Sequence, residues 1–403
     1  MLFDPSDFFK NKNILVGISG SIAIYKILDL LSTLKKAQAN LRVIMSEESL
    51  KFITPLCFEA ITHTRVLCTQ TEDWSGDCNH IGYAQWADIF LIAPATANTI
   101  AKIANGIADN ILLSTILASS APKILAPAMN TQMLLAQSTK NNIKKLQDLN
   151  FTLIPTRQSL LACDTFGDGA LAETSDILLT LAKNLSQNSF WKDKNVIITG
   201  GGSKENIDSV RCLSNHSSGL QASALAEALD ILGAKVTFIS SVFPTTLSNS
   251  IIKIPVKSAE DYHQKILESA KDIPTYLFMA AAIADFKPKT IYQGKIKKNN
   301  HTNLIVECIP NIDILKNITQ KNIIKIGFKA ESDEKNAKNY ATSMLENKKC
   351  LCVCLNILTK DNTFGSQNNQ MTLISQNKTK TLSLDTKSHI AFKIAEFIAT
   401  LSQ

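Results

Sequence analysis

The sequence contains no run of about 18 apolar residues, so nothing in it reads as a membrane-spanning helix. Its opening stretch, MLFDPSDFFKNKN, lacks the basic start and apolar core of a secretory signal, and a cytoplasmic location is expected. Nine cysteines are present (Cys57, Cys68, Cys78, Cys163, Cys212, Cys308, Cys350, Cys352 and Cys354), but no CxxC pair, which argues for reduced thiols and against a disulfide framework. Aromatic residues make up 6% of the chain, and no dense Lys/Arg block is interleaved with them. The excess of 42 basic over 35 acidic residues is mild and suits phosphorylated small molecules better than nucleic acid. The dinucleotide fingerprint GxGxxG is missing from the first glycine turn, Gly17-Ile-Ser-Gly-Ser21, and Ser46 stands at the end of the next strand where an acidic ribose clamp is expected.

What is present is an ordinary globular composition, 45% hydrophobic and 19% charged, on a chain of 403 residues. That length suits two domains of ~200 residues each. Asn13 to Ser46 reads as strand, turn, amphipathic helix and strand, the repeating unit of a parallel sheet. At its turn, Gly17, Ser19, Gly20 and Ser21 offer hydroxyls and backbone donors to one phosphate, which favours a mononucleotide. Asp88 to Asn110 supplies an apolar strand ending in Pro94-Ala-Thr-Ala-Asn98; small residues there let a flat ring approach the backbone at the carboxyl edge of an open α/β sheet. A further strand, Lys123 to Pro127, runs into Ala128-Met129-Asn130. Two residues of candidate chemistry lie outside these strand ends. His80 precedes the apolar strand, and Cys163 sits in a glycine-containing loop at 161–173. An unperturbed thiol, with a pKa of about 8.5, is protonated near neutrality and can act as an acid. Each also has a plain structural reading.

The chain starts again at its midpoint. Asn195 to Thr199 reads as a buried strand, Gly200 to Gly202 as a turn, and the polar stretch that continues to Gly219 as a long functional loop. A helix is expected from Ser218 to Leu232, its first N–H groups available to a polyphosphate. Lys235–Ser240, Thr275–Ala280, Ile323–Phe328 and Cys350–Leu355 extend a mostly parallel sheet. Cys350, Cys352 and Cys354 invite a metal reading, but period-two spacing places them together on one face of a buried strand, and packing is favoured. Asp285 is delivered by an apolar strand beside Lys295, Lys297 and Lys298, which are able to neutralise a triphosphate; a solvated loop is the plainer reading of such a run.

GISGSIAIYK, APATANTIAK, PAMNTQM and the loop ACDTFGDGAL resemble the flavin-dependent cysteine decarboxylases. Together with SNHSSG at 214–219, their order resembles, over nearly the whole chain, the bacterial bifunctional phosphopantothenoylcysteine decarboxylase/phosphopantothenate–cysteine ligases of coenzyme A biosynthesis. For the first half the resemblance implies FMN, with its phosphate near Gly17, Ser19, Gly20 and Ser21 and its ring against Ala95, Thr96, Ala97 and Asn98; Ser46 and Ser114 are further contacts. It implies that His80 serves oxidative decarboxylation, that Asn130 and Met133 bind substrate, and that Cys163 donates a proton when the aminoenethiol is reduced. For the second half it implies activation of 4′-phosphopantothenate by CTP to an acyl-cytidylate, which the amine of cysteine then attacks. Asn215 matches the asparagine associated with that intermediate, and Lys295 opens the KxKK motif as KIKK. Met279, Ala280, Ala281, Asp285, Phe328 and Lys348 align with CTP contacts; Asn311, Ile312, Asp313 and Ile314 match an NPDI segment; Arg211 is expected to hold a substrate phosphate or carboxylate. Magnesium is expected with the triphosphate, its protein ligands unassigned. Trimeric contacts of the first half and dimeric contacts of the second are also implied.

The sequence departs from the family in several places. HIELGKWAD becomes HIGYAQWAD, losing an acid at Gly82, and ACGDxGxGRM becomes ACDTFGDGAL, with Asp164 for glycine and Ala170 for arginine. Met344 stands where a second lysine precedes Lys348, with Lys349 available to compensate, and Ile312 replaces proline. The expected fold is two doubly wound α/β domains: a flavodoxin-like or Rossmann-like flavoprotein domain over residues 1–185 and a Rossmann-like ligase domain over 194–403, joined by a linker at 186–193. The alternatives are a peptidyl-cysteine decarboxylase and a flavin-binding regulatory protein whose catalysis has lapsed.

Overall fold

The computed structural model describes residues 4–162, 164–186, 189–245, 247–297, 303–359 and 365–402. They form two compact units, one over 4–186 and one from 189 onward.

In the first unit, strands β1 (Asn13–Ile18), β2 (Asn40–Met45), β3 (Ile89–Ala95), β4 (Lys123–Pro127) and β5 (Thr152–Leu153) form a parallel sheet in the order β2-β1-β3-β4-β5. Strand β3, Ile-Phe-Leu-Ile-Ala-Pro-Ala, is buried throughout, as expected of a central parallel strand covered on both faces. Helix Tyr25–Lys36 buries Ile27, Leu30, Leu31 and Leu34, a stripe of three- and four-residue steps that lays one face on the sheet. The chain runs from β1 out to β2 and then crosses back past β1 to β3, so the winding reverses between β1 and β3 and a crevice opens there at the carboxyl edge. A hairpin of β6 (Arg157–Leu160) and β7 (Phe166–Ala170) stands apart from the sheet.

The second unit has an eight-stranded sheet. Strands β8 (Asn195–Gly200), β11 (Lys235–Ser240), β12 (Ile252–Pro255), β13 (Thr275–Met279), β16 (Ile323–Glu331) and β17 (Cys352–Ile357) are parallel, in the order β12-β11-β8-β13-β16-β17. Taken in chain order this is the doubly wound Rossmann arrangement, and its switch point lies between β8 and β13. An antiparallel pair, β18 (Asn368–Ile374) and β19 (Thr379–Thr386), extends the sheet beyond β17, while β14 (Phe286–Pro288) and β15 (Cys308–Pro310) form a separate antiparallel pair. Helices Leu220–Ile231 and Lys387–Leu401 cover one face of the sheet, and helix Ala259–Ala270 covers the other.

Three details differ from the sequence reading. The polar stretch after β8 is not a bare loop: β9 (Lys204–Asn206) and β10 (Cys212–Ser214) pair within it as a hairpin, and the following helix begins at Leu220. Cys350 does not share a face with Cys352 and Cys354, because β17 begins only at Cys352. Cys352 and Cys354 are buried in the core beneath helix Leu220–Ile231, whereas Cys350 packs on the opposite side, where burial pushes its thiol up to about 11. The polar segment read as a linker contains Trp191, which is buried in the second unit's core with its Nε1–H donating to the Ala395 carbonyl at 3.1 Å. The second unit therefore includes residues that precede β8.

Candidate functional sites

The residues singled out in the first half gather at the carboxyl edge of its sheet. Gly17 lies in β1, where an added Cβ would stand 2.6 Å from Leu112 Cδ1. Ser19 follows β1 and is 1% exposed. Its hydroxyl donates to the Pro94 carbonyl (2.7 Å) and accepts the Thr96 N–H (3.0 Å), tying β1 to β3 across the crevice. Ser19 thus shapes the turn, while Gly20 and Ser21 continue it. Ser21 accepts from the Ala23 N–H and caps the short turn Ile22–Ile24. At the end of β2, Ser46 Oγ is buried without a hydrogen-bond partner. At the end of β3, Ala95 is buried, Thr96 caps helix Ala97–Ala104 through the Thr99 N–H, and Asn98 is exposed. Ser114, on helix Ile111–Ala118, donates to the Ala108 carbonyl at 3.4 Å. At the end of β4, Asn130 caps helix Thr131–Leu135, and Met133 is half exposed. The β6–β7 hairpin docks on this corner through Met129 N–H to the Gly169 carbonyl (2.9 Å) and Thr131 Oγ1 to the Asp168 carbonyl (2.6 Å). Gly169, at φ +121°, approaches so closely that an added Cβ would meet the Met129 carbonyl at 2.2 Å. Cys163 lies outside the described residues.

His80 is the first residue of helix His80–Trp86, whose Asn79 cap accepts the Gly82 N–H. Gly82 is dictated by space, since a Cβ there would stand 2.4 Å from the Asp77 carbonyl. The helix is clamped to β2 by Arg42, whose guanidinium lies over Tyr83 and Trp86 at 4.8 and 4.6 Å and pairs with Asp77 at 2.5 Å. His80 Nδ1 lies 2.9 Å from Glu72 Oε1, and its ring meets Trp74 edge-on. A carboxylate only accepts, so Nδ1 carries the hydrogen and Nε2 is left as the basic nitrogen. Glu72 escaped the sequence reading: it lies eight residues before His80, in a loop without periodicity.

In the second half one cavity of about 920 Å³ collects most of the expected residues: Asn215, Met279, Ala281, Asp285, Asn311 to Ile314, Phe328 and Lys348 all line it. Ala280 lines a smaller neighbouring cavity, together with Ser217 to Gly219 at the start of helix Leu220–Ile231. The walls are tightly knitted. Thr199 Oγ1 accepts the Ala281 N–H (3.1 Å), Gly201 and Ala282 are joined through backbone, and Asn215 Nδ2 donates to the Ile283 carbonyl (3.0 Å). Asn311 Nδ2 donates to the Ala284 carbonyl, and its Oδ1 accepts the Ile312 N–H, a donor that proline in that position lacks. Lys348 Nζ pairs with Asp313 at 3.1 Å, and Lys329, also on the wall, pairs with Glu331 at 3.0 Å. Met344 forms apolar wall beside Gly327; Lys349 is not among the lining residues.

Lys325 was not anticipated either. It is nearly buried and donates to the carbonyls of Leu315 and Ile318, bracing the end of the segment that carries Asp313. Burial holds its ammonium below the usual lysine range. Arg211 and Lys295 do not line the cavity. Arg211 pairs with Asp208 at 2.5 Å, and Lys295 is exposed on the adjacent 292–297 segment, with Lys298 outside the described residues. Among the described residues, no group of three or more His, Cys, Asp or Glu side chains is arranged to hold a metal ion, and no helix is long and apolar enough to cross a membrane.

Comparison with known proteins divides the chain at the same point. Residues 4–186 match the Flavoprotein family, and residues 191–401 match the DNA/pantothenate metabolism flavoprotein C-terminal domain. The coenzyme A biosynthesis bifunctional protein CoaBC of Bacillus subtilis is 37% identical over 401 residues, covering 98% of each chain. The protein of the same name from Borreliella burgdorferi is 37% identical over 395 residues, 96% of this chain and 99% of that one. A solved PPC decarboxylase mutant complexed with pantothenoylaminoethenethiol is 34% identical over 43% of this chain and 97% of its own, with a TM-score of 0.40. The chain belongs to the family of bifunctional coenzyme A biosynthesis proteins, in which a flavoprotein domain precedes the pantothenate-metabolism C-terminal domain.

Proposed function

We propose that the second half joins 4′-phosphopantothenate to cysteine with CTP, by way of an acyl-cytidylate, and that the first half decarboxylates the product with FMN to give 4′-phosphopantetheine. The observation that carries this reading is the cavity at the carboxyl edge of the Rossmann sheet, lined by Asn215, Met279, Ala281, Asp285, Asn311 to Ile314, Phe328 and Lys348. Its apolar walls, Met279, Ala281 and Phe328, suit a base and ribose. Asn215, held by the Ile283 carbonyl, stands where an activated acyl group can be steadied. Lys348 exchanges Asp313 for a phosphate, and magnesium arrives with the triphosphate. Arg211 and Lys295 act from the adjoining surface.

In the first half the residues present fit a flavin. The buried Ser46 hydroxyl has no partner, and the ends of β1, β3 and β4 supply N–H groups and small side chains around the same crevice. FMN, when bound, supplies the electron acceptor that makes loss of the carboxylate feasible. Ser46, Gly20, Ser21 and Thr96 to Asn98 would hold it. His80, oriented by Glu72, presents Nε2 for proton transfer; Asn130 and Met133 position the substrate, and Cys163 returns a proton to the product. Both reactions are assigned to the cytoplasm on cysteine usage.

Purified protein incubated with phosphopantothenate, cysteine, CTP, magnesium and FMN should form phosphopantetheine and release carbon dioxide, read by mass spectrometry. Accumulated phosphopantothenoylcysteine would confine the reading to the ligase half. No conversion with FMN still bound would support a regulatory flavoprotein. Ser46→Ala separates the flavin contact from folding. With no partner for its hydroxyl in the protein, the flavin-free variant should be as stable as the parent or more stable by about 1 kcal/mol, yet hold FMN about tenfold more weakly. Fluorescence titration and thermal unfolding measure the two, and unchanged FMN affinity removes Ser46 from the site.

A further inference from the structure

Asp208 is buried, 2% exposed, on a turn between β9 and β10. One of its oxygens accepts the backbone N–H groups of Val210 and Arg211, both at 2.7 Å. The other accepts Arg211 Nη1 at 2.5 Å and the Ile296 N–H at 3.2 Å. Arg211 Nη1 also donates to the Ile296 carbonyl at 3.3 Å. The two segments meet through backbone as well: Tyr292 N–H reaches the Ile207 carbonyl at 3.0 Å, and Ser209 N–H reaches the Gly294 carbonyl at 3.3 Å. Lys295 is therefore pinned on both sides, at Gly294 and at Ile296, by residues 208 and 209. The turn is carried by the β9–β10 hairpin, and Asn215 follows the last residue of β10. Burial alone would raise the Asp208 carboxyl, but the three backbone donors and the guanidinium outweigh it and hold the group at about 2, so the anchor stays ionised. The hydrogen-bond partners of the carboxylate, Val210, Arg211 and Ile296, are not among the residues that line the cavity.

We propose that Asp208 is a positioning residue of the ligase half, whose carboxylate fixes Arg211 and the Lys295 segment relative to Asn215. This rests on the reading that Lys295 and Asn215 serve ligation. A carboxamide at 208 keeps the shape, but it replaces one charged acceptor with a donor facing the Arg211 guanidinium and the Ile296 N–H. The Lys295 segment then loses its tether while the cavity for CTP stays built.

The test is a double-mutant cycle on ligation in the full-length protein, with Asp208→Asn, Lys295→Gln and the pair. Asp208→Asn should lower kcat about tenfold with the KM for CTP nearly unchanged, and should cost less than about twofold when Lys295→Gln is already present, because the two act as one unit. If Lys295→Gln slows ligation and Asp208→Asn adds its full cost on top, the proposal is overturned and the functional reading stands. If Lys295→Gln alone changes nothing, Lys295 loses its role and the proposal falls with it. Hydrogen exchange on the unaltered protein gives a check that needs no variant to fold. The Ile296 and Ser209 amides should be protected, and exchange at the rate of open chain at both would sink the tether.

Discussion

His80→Asn should stop carbon dioxide release almost completely and leave ligation running, so that phosphopantothenoylcysteine accumulates where the parent protein makes phosphopantetheine. Losing a positioned proton-transfer group costs about 10²–10⁴-fold. Asparagine fills much of the same space and can still donate to Glu72, 2.9 Å from the present Nδ1, but it has no second ring nitrogen to accept a proton. Glu72→Gln should produce a smaller loss of the same kind, since the ring stays but the carboxylate that fixes its tautomer is gone. Supplying phosphopantothenoylcysteine directly isolates the step. Decarboxylation by His80→Asn at the parental rate would show that the histidine serves the helix start alone.

Asn215→Asp should be the counterpart in the other half, with ligation falling about 10²–10³-fold, the loss typical when a donor placed for developing charge is removed. The amide Nδ2 donates to the Ile283 carbonyl, so a carboxylate there faces a carbonyl with nothing to donate. It also adds negative charge to a cavity whose wall cations, Lys348 and Lys329, are each already paired with an acid. Decarboxylation of supplied phosphopantothenoylcysteine should be untouched. Following pyrophosphate and product together locates the damage: pyrophosphate release without product marks a failure after activation, and loss of both marks a failure to bind or activate. Full ligation would remove Asn215 from the chemistry.

Much of the architecture was legible because buried parallel strands announce themselves as continuous apolar runs. β1, β3, β4, β8, β11, β13 and the first part of β16 fall where those runs are. The extension β18–β19 was not, because its outer strand, Thr-Lys-Thr-Leu-Ser-Leu-Asp-Thr, buries little beyond Leu382 and so carries no clear alternation. Cys350 misled for a related reason. Spacing of two implies one face only inside a strand, and Lys349, in the left-handed region at φ +52°, turns the chain immediately before Cys350. In the sites, motif residues on strand ends were readable one by one, but their partners were not. Glu72 meets His80 from a separate loop, Lys325 holds the Leu315 and Ile318 carbonyls from inside a strand, and Asp208 holds Ile296 across 88 residues of sequence. These contacts arise only when the chain folds back on itself, and nothing local marks them.

The two hydroxyls that close the crevices give both halves the same mechanical property. Ser19 takes the Thr96 N–H between β1 and β3, and Thr199 takes the Ala281 N–H between β8 and β13. At a switch point no crossover connection covers the gap, and neighbouring strand ends are free to splay. One short side chain at each gap acts as a spacer of fixed length, so the slot is gauged before anything enters it. A ligand of the right thickness then loses little free energy to reshaping the protein, and a thicker one must break a partly buried hydrogen bond to get in.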